Sequence, residues 1–114
     1  FNGDISKWDV SGVTTMSGMF AGATLFKGDL SKWDVSNVID MSAMFRGAAA
    51  FDGDDISKWD VSSVGNMSHM FNGATSLHVD ISRWDMSSAI DLTAMFAGAI
   101  SFDSDIRILA LPKT

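Results

Sequence analysis

The residues through which this 114-residue chain could do chemistry are its fourteen carboxylates, all of them Asp. Their spacing first raises calcium. Asp52, Asp54 and Asp55 crowd together, Asp103 and Asp105 repeat the arrangement, and Asp4, Asp29 and Asp80 hold one equivalent position along the chain. A calcium cage needs about six to eight oxygens, and neither the EF-hand spacing nor a glycine-rich nonapeptide is present. The cluster Asp52, Asp54 and Asp55 is the one candidate cation site, and turn capping is the plainer role for the rest. The short Asp side chain closes turns and caps helices, work for which Glu is too long. The histidines His69 and His78 are not repeated, and no second ligand type is spaced with them as zinc requires. Nucleophile elbow, P-loop and paired His/Asp are all absent, so no catalytic residue and no cofactor are expected and the chain does not read as an enzyme. Asn66–Met67–Ser68 matches an N-glycosylation acceptor once, and Ser and Thr leave room for O-glycans.

Composition narrows the partners. A net charge of −6 argues against nucleic acid and against an anionic membrane, both of which need a basic face. Hydrophobic residues make up 46% and the mean hydropathy is +0.16, too apolar for disorder. No apolar run reaches the roughly 20 residues of a membrane span. The absence of cysteine excludes a disulfide scaffold and thiol chemistry.

The elements that must position these residues come from repetition. Four near-copies of one phrase fill residues 1–25, 26–50, 51–76 and 77–101, and a partial fifth copy or C-terminal cap follows at 102–114. The whole is expected to be a single domain. The third copy carries one extra Asp, either Asp54 or Asp55. Because Phe1 is in register with the phrase and is not a Met, the chain is expected to be a processed product or an excerpt of a longer array.

Within each copy the apolar spacing changes. Ile5, Trp8 and Val10 recur as Leu30, Trp33 and Val35, then Ile56, Trp59 and Val61, then Ile81, Trp84 and Met86, which predicts a short strand such as residues 7–11. Val13, Met16, Met19, Phe20 and Ala23 then follow a helical stripe, repeated in every copy, which predicts a helix of about three turns with a Ser ahead of it and a Gly behind it. The fold expected is a right-handed, leucine-rich-repeat-like α/β repeat solenoid, with one short parallel β-strand and one short helix per turn of about 25 residues. The four Trp are expected to form one buried ladder, inward of the strand. Outward, Lys7, Lys32, Lys58 and Arg83 form one charged column and Asp9, Asp34, Asp60 and Asp85 the next. Paired across the stack, such columns would contribute roughly 0.2–1 kcal/mol per pair.

The phrases DISKWDVSGVTTMSGMFAGATLF and DLSKWDVSNVIDMSAMFRGAAAF closely resemble the BspA-like surface-protein repeat, over residues 1 to about 106. That resemblance implies secreted or surface-displayed proteins associated with adhesion and protein–protein contact, with no enzymatic activity attached to the repeat. The fourth copy departs from the pattern at Leu77, Val79 and Ala89. The fifth start departs further, reading Arg107–Ile108–Leu109 and closing LALPKT, which suggests a cap or docking segment.

Two functions follow from this reading. In the first the chain is structural and adhesive, an extracellular or cell-surface protein that associates with itself head to tail, into a fibre or as part of a longer solenoid array. Phe1 at one end and Ile106, Ile108, Leu109 and Leu111 at the other are then the assembly ends. In the second it is a recognition module that binds a host or matrix protein through the face of Lys7, Asp9, Lys32, Asp34, Lys58, Asp60, Arg83 and Asp85. The near-identity of those positions from copy to copy favours the first.

Overall fold

Each copy of the phrase folds as a chain of β-turns, with the apolar residues at their corners. In the computed structural model, which describes residues 4–99, Trp8 N–H donates to the Ile5 carbonyl, Val13 to Val10, Met19 to Met16, Ala23 to Phe20 and Phe26 to Ala23, all at 3.0–3.1 Å. The same i to i−3 bonds recur at the matching positions of the second, third and fourth copies. We refer to these as coils 1 (residues 4–25), 2 (26–50), 3 (51–76) and 4 (77–99).

This overturns the expected α/β solenoid. Among the described residues the one helix is a 3-10 turn at Asp54–Ile56, and extended pairing is confined to isolated parallel bridges, Thr15 with Asp40, Asp40 with Asn66 and Asn66 with Asp91. The radius of gyration of 12.7 Å is that of a compact chain of this length, for which about 13 Å is expected.

The physical reason lies in where consecutive N–H groups point. From Met16 to Ala23 they alternate. Met19, Ala21 and Ala23 donate three residues back in their own coil, while Met16, Gly18, Phe20 and Gly22 donate to Asp40, Ser42, Met44 and Arg46 of coil 2 at 2.8–2.9 Å. The rungs repeat from Met41, Ala43, Phe45 and Gly47 into coil 3, and from Met67, His69, Phe71 and Gly73 into coil 4. An α-helix would have used all these donors internally. It is further blocked by left-handed backbone at Gly18 and Gly22, φ 67° and 75°, each the third residue of a turn, where type II turns require positive φ.

The position of Gly18 is filled in the later coils by Ala43, His69 and Ala94, at φ 55°, 58° and 53°. A Cβ in that region costs about 1–2 kcal/mol. Ala43→Gly is therefore expected to raise the unfolding free energy by about 1 kcal/mol, after allowance for the greater freedom of an unfolded Gly. Chemical denaturation measures this directly. A loss of stability would mean that the segment does not hold the turn described.

Between the coils runs a packed core. Phe20, Phe45, Phe71 and Phe96 stack at centroid spacings of 5.6, 5.6 and 5.7 Å. Phe26 and Phe51 form a second column at 5.9 Å, each also stacked at 4.3 Å on the Phe of the first. The inward positions read from the sequence are buried almost throughout, including Ile5, Leu30, Ile56 and Ile81, Val35 and Val61, and the coil 2 and 3 methionines. Of the four Trp expected in one buried ladder, Trp33, Trp59 and Trp84 are buried and Trp8 is not. Trp33, Trp59 and Trp84 each lie against the Phe of the preceding coil, at 6.0, 6.4 and 6.2 Å, and Trp8 is 54% exposed.

The extra residue of copy three is absorbed locally. Gly53 turns left-handed (φ 80°), Ile56 N–H donates to Gly53, and the 3-10 turn returns Ile56 and Trp59 to register. Beyond it the bonds of coil 3 match those of its neighbours.

Candidate interaction surfaces

Three times in most coils the chain writes an acceptor residue, a buried apolar residue and a hydroxyl residue, and each such tripeptide is one unit of surface structure. Asp9 Oδ1 accepts from the N–H of Ser11 at 3.0 Å and from its hydroxyl at 2.7 Å. Asp34 with Ser36, and Asp60 with Ser62, bind in the same way with hydroxyl distances of 2.6 Å. Asp4, Asp29, Asp80 and Asp85 accept the N–H two residues on. A third column, Thr15, Asp40, Asn66 and Asp91, does the same for residues 17, 42, 68 and 93. The second residue of a β-turn otherwise has a free N–H, which the short side chain one position before the turn satisfies. The Ser11 hydroxyl and N–H hold Asp9 below the usual carboxylate range, and those of Ser36, Ser62 and Ser87 do so for Asp34, Asp60 and Asp85.

Lys7, Asp9, Lys32, Asp34, Lys58, Asp60, Arg83 and Asp85 are all exposed, as the outward parity required. Along the acid column the carboxylates feel each other, Asp9 acting on Asp34 and both Asp34 and Asp85 on Asp60. The cations act instead on the other Asp column, Lys32 on Asp29 and Arg83 on Asp80. The face is a set of capped turns with lysines in solvent.

The candidate cation residues are not brought together. Among the described residues no group of three or more His or Asp side chains could hold a metal ion. Asp52 Oδ1 accepts the N–H of Asp54 at 3.0 Å. Asp55 turns partly inward, where burial and then the charges of Asp29, Asp52 and Asp54 raise its pKa, against the Leu30 N–H, which lowers it. Asn66 is half-buried with its carboxamide oxygen on Ser68 N–H at 2.9 Å, so it occupies the slot that Asp40 and Asp91 fill in the neighbouring coils. His69 Nδ1 lies 2.9 Å from Asn72 Nδ2, and His78 is exposed.

The outer face of coil 1 is different. Each buried Trp donates its indole Nε1–H to the preceding coil: Trp33 to the Ile5 carbonyl, Trp59 to Leu30 and Trp84 to Ile56, at 3.0–3.1 Å. Trp8 has no such coil before it among the described residues. It lines an open cavity of about 220 Å³ with Ile5, Met19 and Phe20. Met19 is 39% exposed, whereas Met44 and Met70 are fully buried.

A family model matches this chain over residues 1–109. The chain belongs to that family, described as Mycoplasma protein of unknown function, DUF285. No curated protein matches it, and no solved structure does. In this DUF285 chain, sequence reasoning missed the surface residues Trp8 and Met19, because at the repeat level they are indistinguishable from buried copies. The expected assembly residues Phe1, Ile106, Ile108, Leu109 and Leu111 lie outside the described residues, as does the cap expected over 102–114.

Proposed function

We propose that this DUF285 chain is a BspA-like structural and adhesive repeat protein, secreted or held at the cell surface, without catalysis. It works by self-association into an end-to-end fibre, or as one section of a longer array. The observation that carries the reading is that its polar surface is used by the fold itself. Exposed Asp after exposed Asp is bound to the Ser or Thr two residues on, and the pattern is the same in successive coils. A surface tuned to one partner would vary from coil to coil; this one keeps its positions. The acidic balance and the absence of any helix long and apolar enough to cross a membrane, among the described residues, agree with a protein that meets other proteins. The extracellular location rests on the repeat resemblance.

A second reading, recognition of a host or matrix protein, draws support from the eight charged side chains all standing in solvent. Negative-stain electron microscopy of the purified chain separates the two. Fibres many times longer than the 36 Å largest dimension of one molecule are the expected result. Isolated particles of that size at every concentration would sink the self-assembly reading and direct the search to a partner for the charged face.

A further inference from the structure

One column on the side of the stack alternates between small and large residues. It holds the residue two positions before Met16, Met41, Met67 and Leu92, and reads Thr14, Ile39, Gly65 and Ile90. Hydrogen bonds tie it into a line, because Ile39 N–H donates to the Thr14 carbonyl, Gly65 to Ile39 and Ile90 to Gly65, at 2.8–2.9 Å. Ile39 is 58% and Ile90 86% exposed. They stand two coils apart, about 10 Å at the usual strand spacing, with Gly65 as a gap between them. The fold does not require that glycine. Its φ lies outside the left-handed region, and a Cβ there would meet only the Ser88 and Ile39 carbonyl oxygens, at the ordinary contact distances of 3.7 and 3.9 Å.

Run backwards, the column is its own complement. A second copy turned end over end sets its coil 3 against coil 2 and its coil 4 against coil 1. Ile39 of each copy then meets the Gly65 gap of the other, and Ile90 meets Thr14. The next residue along alternates in the same way, as Thr15, Asp40, Asn66 and Asp91. The same rotation therefore sets Asp40 opposite Asn66 and Asp91 opposite Thr15. Along this column each carboxylate faces an amide or a hydroxyl and none faces a carboxylate. The Ser68 N–H already holds the Asn66 carboxamide oxygen, which leaves Nδ2 to donate. On the other flank Gly12, Asn37, Ser63 and Ser88 are exposed and uncharged. Two copies side by side in the same direction and register would instead set Ile on Ile and gap on gap.

We propose that this side of the stack docks a second copy of the chain, held antiparallel about a twofold axis between coils 2 and 3. The contact is lateral, centred on inner coils, and goes beyond the end-to-end reading. One patch serves both copies, so the interface is isologous and closes at two chains. The net charge of −6 on each copy opposes it, so pairing strengthens as salt screens that repulsion.

Sedimentation equilibrium on the parent, Gly65→Ile and Ile39→Ala tests the proposal. The parent is expected to reach the mass of two chains by this contact, whereas end-to-end growth has no such limit. Gly65→Ile sets Ile against Ile at two symmetric points and is expected to weaken pairing about 100-fold. Ile39→Ala leaves both gaps unfilled and is expected to weaken it about 10-fold. It trims only an exposed side chain, so it reads the contact even where Gly65→Ile lowers the melting temperature. Mixed in equal amounts, the two variants regain the fit, because the side chain added at residue 65 of one enters the space cleared at residue 39 of the other. The mixture is expected to pair within about threefold of the parent. A parent that associates while both variants associate equally well would overturn the lateral face and leave end-to-end assembly standing. Variants that weaken pairing and are not restored by mixing would overturn the antiparallel register. A parent that stays monomeric at every concentration and salt would remove the contact altogether.

Discussion

Trp59→Ala costs about 3–5 kcal/mol of unfolding free energy, whereas the same change at Trp8, in the same position of the same phrase, costs about 1 kcal/mol or less. These are the expected results, and the burial at each site sets them. Trp59 is 5% exposed and packs against Phe45 at 6.4 Å, and truncating a buried Trp leaves a cavity as well as losing transfer energy. Its indole also donates to the Leu30 carbonyl at 3.0 Å in the protein interior, so the substitution leaves a buried acceptor without its side-chain donor. Trp8 is 54% exposed, and its indole has no acceptor among the described residues. The loss at Trp59 is a large part of the roughly 5–15 kcal/mol that holds a typical domain together. Urea unfolding of the two variants beside the parent decides it. Equal costs at the two positions would mean that the indoles do not bridge coil to coil.

That contrast marks what was legible in the sequence and what was not. The set of inward residues could be read, because burial needs only an apolar side chain at a repeating position. The local structure could not, because a spacing of three is shared by two conformations. Ile5 with Trp8, Val10 with Val13, Met16 with Met19 and Phe20 with Ala23 are the first and last residues of β-turns, and the same i, i+3 spacing marks one side of a helix. The Met16 to Ala23 stripe therefore looks helical until the destination of its N–H groups is known, and every second one leaves the coil. Two signals in the chain pointed to turns. One was the recurring Asp or Asn, apolar, Ser tripeptide, as in Asp9–Val10–Ser11 and Asn66–Met67–Ser68, which suits capping of successive turns better than any long element. The other was Gly18, inside the supposed helix and four residues before the Gly22 expected to end it.

The surface was legible to the same extent. Parity placed the lysines and the second Asp column outside. Their electrostatic pairing could not be read, because each Asp side chain is too short to leave its own turn, and the hydroxyl two residues on reaches it first. Nor could sequence distinguish Trp8 from Trp33, which hold the same position of the phrase and differ only in burial among the described residues. A repeat specifies an interface once and uses it at every joint between the described coils.

Two of the fourth coil's departures from the phrase, Leu77 and Val79, are expected to be halves of one change, and a mutant cycle tests it. Where coil 2 has Phe26 and Gly28, coil 4 has Leu77 and Val79, both fully buried. A Cβ at Gly28 would stand 2.6 Å from Cε1 and 2.7 Å from Cζ of Phe26. The ring cannot yield, because it is stacked on Phe20 at 4.3 Å and Phe51 at 5.9 Å. Gly28→Val is expected to cost about 2–3 kcal/mol by overpacking. Phe26→Leu alone costs about 1 kcal/mol for the space it leaves. The double variant, which writes the coil 4 pair into coil 2, is expected to be more stable than the sum of the two by about 1–2 kcal/mol, the coupling of side chains that share one cavity. Gly53→Val supplies the contrast. Gly53 sits at φ 80°, and its Cβ would meet Leu77 Cδ1 at 2.8 Å and Val79 Cβ at 3.0 Å in the next coil. Phe51→Leu relieves none of these, so no rescue is expected there. Costs that add at residues 26 and 28 within about 0.5 kcal/mol would show that the two positions are independent, and that Leu77 and Val79 are unrelated substitutions. Coupling at coil 2 without coupling at coil 3 would identify the pair as a matched exchange of volume, made where the coil beneath keeps a glycine to receive the added methyl groups.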